Sequence, residues 1–355
     1  MSARTFFGKL KNACSYLIGL YNPKNVRDKG VLWTLKLTLV TYIIVVLGLM
    51  FYWSREPGFF DIQPVALEMA GGDEAKANVP GFAVTAALIK IADTLLNKPG
   101  GYLSNDLSLP SYVMDNMPSW EFGVLTDLRE ATRALRNEFS RAQSQSEEDK
   151  DLMAADAQFH FDPNSWLVPP TEMEYKKGVA ALQRYLDRLS SNPSQARFFV
   201  RADNLNAYLV VVEKRLGSLA HRLSSNVPDL LYTPAAQATD GSADPDKPLS
   251  EVTSTTPWME IDNVFFEARG YVWALLHMLK AVEIDFAGIL ESKRARPALQ
   301  RIIHKLKNAE HQIWSPLIMN NNGFGIFTNH SLIMASYISR ANAAIIDLRI
   351  LLMQG

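Results

Sequence analysis

Apolar side chains recur at three- and four-residue intervals along most of this chain, the spacing that lines one face of an α-helix. Residues 81–97 carry Phe82, Ala86, Ile89, Ala92 and Leu96 on such a face, and KPGG (98–101) stops the run. Ser119 is placed to cap a helix bearing Phe122, Leu125, Leu128, Leu135 and Phe139, which fades into the solvated charge run SQSEEDKD. After PNSWLVPP (163–170), Thr171 with Glu174 fits a capping box opening a helix with Val179, Leu182, Tyr185, Leu186 and Leu189. Asp203 can cap the helix LNAYLVVVEKRLGSLAHRL. Phe265, Ala268, Tyr271, Val272, Leu275, Leu279, Val282, Phe286 and Leu290 predict one long helix of about 45 Å. Leu299, Ile302, Ile303, Leu306 and Ile313 mark another, and a final helix, capped by Asn329 or Ser331, runs to the C-terminus. The predicted class is all-α, a helical bundle.

One run departs from this amphipathic rule. VLWTLKLTLVTYIIVVLGLMFYW (31–53) is apolar on every face and, as a helix, about 35 Å long, enough for a bilayer's hydrocarbon core. Trp33 lies near one end and Tyr52 and Trp53 at the other, where interfacial aromatics belong, and Lys36 is close enough to an end to snorkel. The thirty residues before it and the lack of a small-residue cleavage site argue against a signal peptide. Ahead of it, Phe6, Phe7, Leu10, Cys14, Leu17, Ile18 and Tyr21 predict a short amphipathic helix on the membrane surface. The expected layout is a basic segment 1–30, a transmembrane helix 31–53 and a tether 54–80. Helical subregions 81–227 and 258–355 follow, separated by a flexible insertion 228–257 rich in Ala, Ser, Thr, Asp and Pro. NNNGFGIFTNHS (320–331) contains Asn322-Gly323, the strongest short hairpin signal, so a small β-hairpin is expected near 317–327. A phosphate-cradling loop lacks the required glycine spacing there.

Charge orients the anchor. Residues 1–30 hold six basic side chains against Asp28, a balance of +5; with Lys36 and a net charge of −1, residues 37–355 must carry −7. Positive charge before the span keeps the N-terminus in the cytoplasm, so the expectation is a single-pass inner-membrane protein with a periplasmic body. An acidic body has no basic stripe for nucleic acid. Cys14 is the sole cysteine, which excludes an intramolecular disulfide and a cysteine metal cage.

Candidate chemistry is sparse. There is no HExxH, GxSxG or SxxK motif, and neither a cofactor nor a metal is expected. His304 and His311 share a helix side but stand about 10 Å apart, and belong to a polar face. His277, among Leu275, Leu276 and Met278, reads as a satisfied core or boundary histidine rather than a base. Glu260, Asp262 and Glu267 gather at the start of the long helix. Glu260 and Glu267 are the weak catalytic candidates, as paired carboxylates on a glycan, although acids also favour a helix start. Arg340 and Asn342, on the otherwise apolar last helix, are the ligand-binding candidates, expected in a buried hydrogen-bonded network with Tyr337 and Asp347.

TPWMEIDNVFFEARGYVWALLHMLKAVEIDF (256–286), NGFGIFTNHSLIMASYISRANAAIIDLR (322–349) and DNLNAYLVVVEKRLGSLAHRLSS (203–225) resemble a family of uncharacterised proteobacterial proteins. That family is known only as a domain of unknown function with one N-terminal membrane anchor. The resemblance implies an anchored protein and brings no catalytic residues. The expected function is a non-enzymatic interaction or scaffold module in envelope assembly, bound to membrane lipid through 31–53 and to another envelope protein. The alternative is a periplasmic enzyme or a lipid- or glycan-binding domain.

Overall fold

The computed structural model describes residues 19, 21, 28–142, 147–191, 196–224, 260–311, 318 and 329–354. The described residues are all-α, without a strand, in two compact units, Met1–Arg55 and Glu56–Gly355. The amphipathic helix expected around Cys14, the insertion 228–257 and the hairpin near 317–327 lie outside the described residues, apart from isolated positions.

The first unit is dominated by α1, Val31–Trp53, which buries none of its residues and whose most apolar 18-residue stretch has a mean hydropathy of 2.1. It is long and apolar enough to cross a membrane. Lys29 lies 4.5 Å over the Trp33 ring and Arg55 lies 5.2 Å over Phe51, so a cation and an aromatic ring pair at each end.

The second unit begins with residues expected to form a tether. Instead, 54–80 contains α2 (Ile62–Met69) and α3 (Glu74–Ala77), and Ile62, Val65 and Ala66 are buried. The stretch before α2 lies along a later helix, α9 (Ile261–Asp285). Glu56 binds Arg269 through both carboxylate oxygens (2.7 and 2.5 Å), Phe60 stacks on His277 at 3.9 Å, and Asp61 is 3.7 Å from Lys280. Residues 56–61 therefore run in the same direction as α9, from its N-terminal half towards its C-terminus.

Helix α4 (Phe82–Asn97) is buried on nearly every side rather than along one face, because α2, α5 (Asn116–Ala134), α7 (Thr171–Ser191) and α9 all pack on it. Its start is held by Asp285, whose Oδ2 accepts from the Val84 N–H at 2.7 Å. Gly81 precedes it at φ +88, and a Cβ there would stand 2.3 Å from the Phe198 ring. Helices α5 and α9 pair most closely. At their crossing Gly123 faces the Glu267 carbonyl and Gly270 faces the Trp120 carbonyl, so backbone meets backbone.

Around this centre, α6 (Lys150–Phe159) and α7 form a hairpin. Helix α8 (Ala202–Ser224) packs on α12 (His330–Met353), which also contacts α11 (Arg296–Ala309). The long apolar stripe is not one helix: the chain turns at Phe286 and restarts as α10 (Ala287–Ser292). Phe286 leaves the helix to pack against Phe139 (5.3 Å) and Phe198 (5.6 Å). Phe139 itself closes a π-helical turn, Leu135–Phe139, at the end of α5. The charge run near 147–151 is ion-paired rather than simply solvated. Asp149 caps α6, Asp151 is buried against Arg184 and Arg188, and Glu148 meets Arg136.

Candidate functional site

Helix starts and ends converge at one end of the bundle: the N-termini of α5 and α9 and the C-terminus of α8. Between them lies a cleft of about 420 Å³, lined by Ser104, Ser119, Phe122, Asn164, Glu260 and Glu267 among others. It brings both carboxylates singled out in the sequence to one wall. Their environments differ. Glu267 is buried, and its two oxygens accept from Arg222 Nη1 (2.6 Å) and Nη2 (2.7 Å), a fork-to-fork pair between α8 and α9. Arg222 is held above its usual pKa by Glu267 first and by Glu260 as a further anion. Glu260 is exposed and sits at the N-cap position of α9 without capping it through its side chain. Asp262, behind it, has its carboxyl pushed up by burial and by the nearby Asp115.

Ser119 does not cap α5, which starts three residues earlier because Pro118 is tolerated in a first turn. Its hydroxyl instead reaches Asn263 Oδ1 at 3.2 Å across the cleft. Phe122, expected on the apolar stripe, is 45% exposed on the cleft wall. The stripe proper runs through Trp120, Val124, Leu125 and Leu128. Thr171, expected as a capping-box residue, donates back to the carbonyls of Asp162 (2.8 Å) and Ser165 (2.9 Å), fixing the loop that carries Asn164.

The cleft floor rests on residues that sequence reasoning passed over. Glu121 is fully buried and accepts from Leu103 N (2.8 Å), Ser104 N (2.9 Å), Ser104 Oγ (2.5 Å) and Lys98 Nζ (2.5 Å). Burial pushes this carboxyl up while the Lys98 ammonium and the other donors pull it down. Lys98 also donates to Gly101 O at 2.6 Å, so one buried ion pair shapes the whole turn behind the cleft. The available signal was an acid at the buried register of an apolar stripe, four residues before Leu125. A second cluster lies deeper. Glu130 accepts from Arg215 (2.8 and 2.6 Å) and from Tyr271 Oη (3.1 Å), and the buried Asp127 beside it is pushed well up by burial and by Glu130.

The other candidates are not assembled into a site. Arg340 and Asn342, two residues apart, point about 200° apart around α12. Arg340 is exposed, and among the described residues its carbonyl accepts from Lys305 Nζ at 3.1 Å. Asn342 is half-buried against Gly217 of α8, and its Oδ1 has no partner among the described residues. Neither is hydrogen-bonded to Tyr337 or Asp347 among the described residues. The polar bridge on this helix is instead Arg349, which binds Asn206 (3.0 Å) and Glu213. His304 and His311 are exposed. His277 is buried and satisfied: Nδ1–H donates to Trp273 O (2.7 Å) and Nε2 accepts from Phe60 N (3.2 Å). Burial pushes its pKa down to about 4.

Compared with known proteins, residues 26–355 match the model of a family described as uncharacterized protein conserved in bacteria (DUF2333). No curated protein and no solved structure matches the chain.

Proposed function

We propose that this chain, which belongs to the DUF2333 family of uncharacterized bacterial proteins, is a single-pass envelope protein whose helical body is a non-enzymatic interaction or scaffold module. Helix α1 is its inner-membrane anchor. The +5 balance of residues 1–30 keeps the N-terminus cytoplasmic and places the body in the periplasm. A C-terminal alkaline phosphatase fusion should be active and a C-terminal fluorescent-protein fusion dark; the reverse would overturn this topology.

The observation that carries the scaffold reading is the Glu267–Arg222 fork. A general acid, base or nucleophile needs an oxygen that faces the substrate, and both oxygens of Glu267 are spent joining two helices. The cleft then serves as a polar docking notch for a segment of an envelope partner, with Phe122 as its apolar contact.

The test is native mass spectrometry of the full-length chain extracted with its own membrane. A protein companion at fixed stoichiometry, lost on Phe122→Asp, is expected. Turnover of cell-wall fragments that disappears in Glu260→Ala and Glu267→Ala, with unfolding temperature unchanged, would overturn the reading. One observation favours glycan binding as a second reading. Ser104, Ser119, Asn164 and Asn263 line the same cleft as an exposed phenyl ring, a wall suited to a sugar. A glycan-induced rise in unfolding temperature, abolished by Phe122→Ala, would support it.

A further inference from the structure

We propose that two loops at the α9 N-terminal end of the body dip into the interfacial layer of the same bilayer that α1 crosses, holding the body to the membrane at a second point. The inference rests on the reading of α1 as an anchor. On one loop Leu107, Tyr112 and Val113 are 58%, 72% and 52% exposed; on the other, Trp166, Leu167 and Val168 are 55%, 58% and 92% exposed. Single exposed apolar residues are ordinary, but six on two adjoining loops mark a surface that something covers. The loops form one platform, because Asn105 Nδ2 donates to Ser165 O (2.9 Å) and to Glu172 Oε2 (2.8 Å), and Tyr102 Oη donates to Pro163 O (3.1 Å). The apolar tips are thus held outward by polar contacts at their bases.

The chain's own path identifies the occupant. Only Ser54 and Arg55 separate Trp53 from Glu56, so Glu56 lies within about 11 Å of the end of the apolar helix. Glu56 is fixed to Arg269, which lies about 9 Å along α9 from Asn263 at the cleft. Residues 56–61 run from Arg269 towards Lys280, so Glu56, the first residue of the body, is the one of them nearest the end of α9 where both loops lie. Tryptophan, tyrosine and leucine at that end have the composition of an interfacial belt. Asp106, the acid within the first loop, is turned inward to accept from Ser111 Oγ at 3.0 Å.

The experiment uses the full-length chain with Cys14→Ser, so that an introduced cysteine is the only thiol. Val168→Cys carries an environment-sensitive fluorophore, and Glu291→Cys on α10, 65% exposed beyond the far end of α9, is the control. Both are reconstituted into phosphatidylethanolamine–phosphatidylglycerol vesicles with brominated acyl chains. An apolar tip at the headgroup–acyl boundary should be quenched about twofold more strongly than the control; equal quenching overturns the proposal. A photo-crosslinker at position 168 in native membranes should give lipid adducts, and protein adducts in their place would assign the platform to a protein partner and overturn it. Flotation separates the two failures. A chain that does not float with vesicles loses both the anchor and the platform, whereas one that floats with equal quenching loses only the platform.

Discussion

Replacing Gly270 by alanine tests whether the α5–α9 crossing is a true backbone contact. The added Cβ would stand 1.9 Å from the Trp120 carbonyl oxygen and 2.8 Å from its carbon, against a comfortable separation of roughly 3.5 Å. The oxygen belongs to a helical peptide and cannot swing aside, so the two helices must separate by about 1 Å or more. A gap of that size forfeits roughly a quarter to a half of each van der Waals contact across the interface. Trp120, Val124 and Trp273 are fully buried around the crossing, with the two indole rings 5.3 Å apart. At some 50 contacts each, about half of them across the interface, and ~0.15 kcal/mol per contact, the loss is about 4 kcal/mol. Removing a glycine from a helix interior returns about 1 kcal/mol. The expected net cost is about 3 kcal/mol, a drop in unfolding temperature of roughly 6–12 °C. The assay is thermal unfolding of the full-length chain in detergent, followed by intrinsic fluorescence. Gly288→Ala is the control, since a Cβ there meets nothing within 4 Å; it should be neutral or slightly stabilising. If Gly270→Ala melts within about 1 °C of wild type, well below the shift expected for such a clash, the close crossing is wrong. Gly123→Ala, whose Cβ would lie 2.0 Å from Glu267 O, should add less in the double variant than alone, because the helices have already moved apart.

Other variants probe the buried charges. Lys98→Met leaves Glu121 uncompensated in the core and should cost about 3–5 kcal/mol; adding Glu121→Gln should recover part of it, and equal stability of the two variants in denaturant titrations would contradict the pairing. His277 has a folded pKa of about 4, below its ordinary 6.5, so its contribution is complete above pH 6.5 and is lost as pH falls towards 4. His277→Gln should remove a pH dependence worth up to about 3 kcal/mol over that window, visible as a flatter melting temperature than wild type. Glu310, beside Arg269 and Glu56, has its carboxyl pushed up to about 8 by burial against the pull of Arg269, so its contribution is complete below its ordinary 4.5 and is lost as pH rises from there through 8. Glu310→Gln should be close to neutral near pH 4.5 and increasingly more stable than wild type as pH rises to 9; a loss at pH 9 would show that the ionised carboxylate is the stabilising form.

The chain's alternation of apolar and polar positions determined its class and most helix positions, because a 3.6-residue period is local and survives without knowledge of partners. The uniform apolarity of 31–53 likewise identified a helix long and apolar enough to cross a membrane, since length and composition are read without knowledge of partners. His277 was legible as a core or boundary histidine from its immediate neighbours, and the structure places it in the core. What lay beyond local reach was which helix is wrapped by others. α4 has the composition of a one-sided helix but is covered on nearly every side, and Phe286 leaves its helix because Phe139 and Phe198, far away in sequence, form the pocket it fills. The candidate site shows the same division. Glu260 and Glu267 were visible as acids at a helix start, but only the packing of α8 on α9 supplied Arg222, and only the turn at 98–104 gave Glu121 its four donors. Arg340 and Asn342 looked like a pair in one dimension and were separated by helical geometry. The backbone contact at Gly123 and Gly270 is the plainest case. A glycine inside a helical pattern only permits a close approach, and the tertiary structure alone names the carbonyl that would be struck, because close approach is a property of two elements and neither carries it by itself.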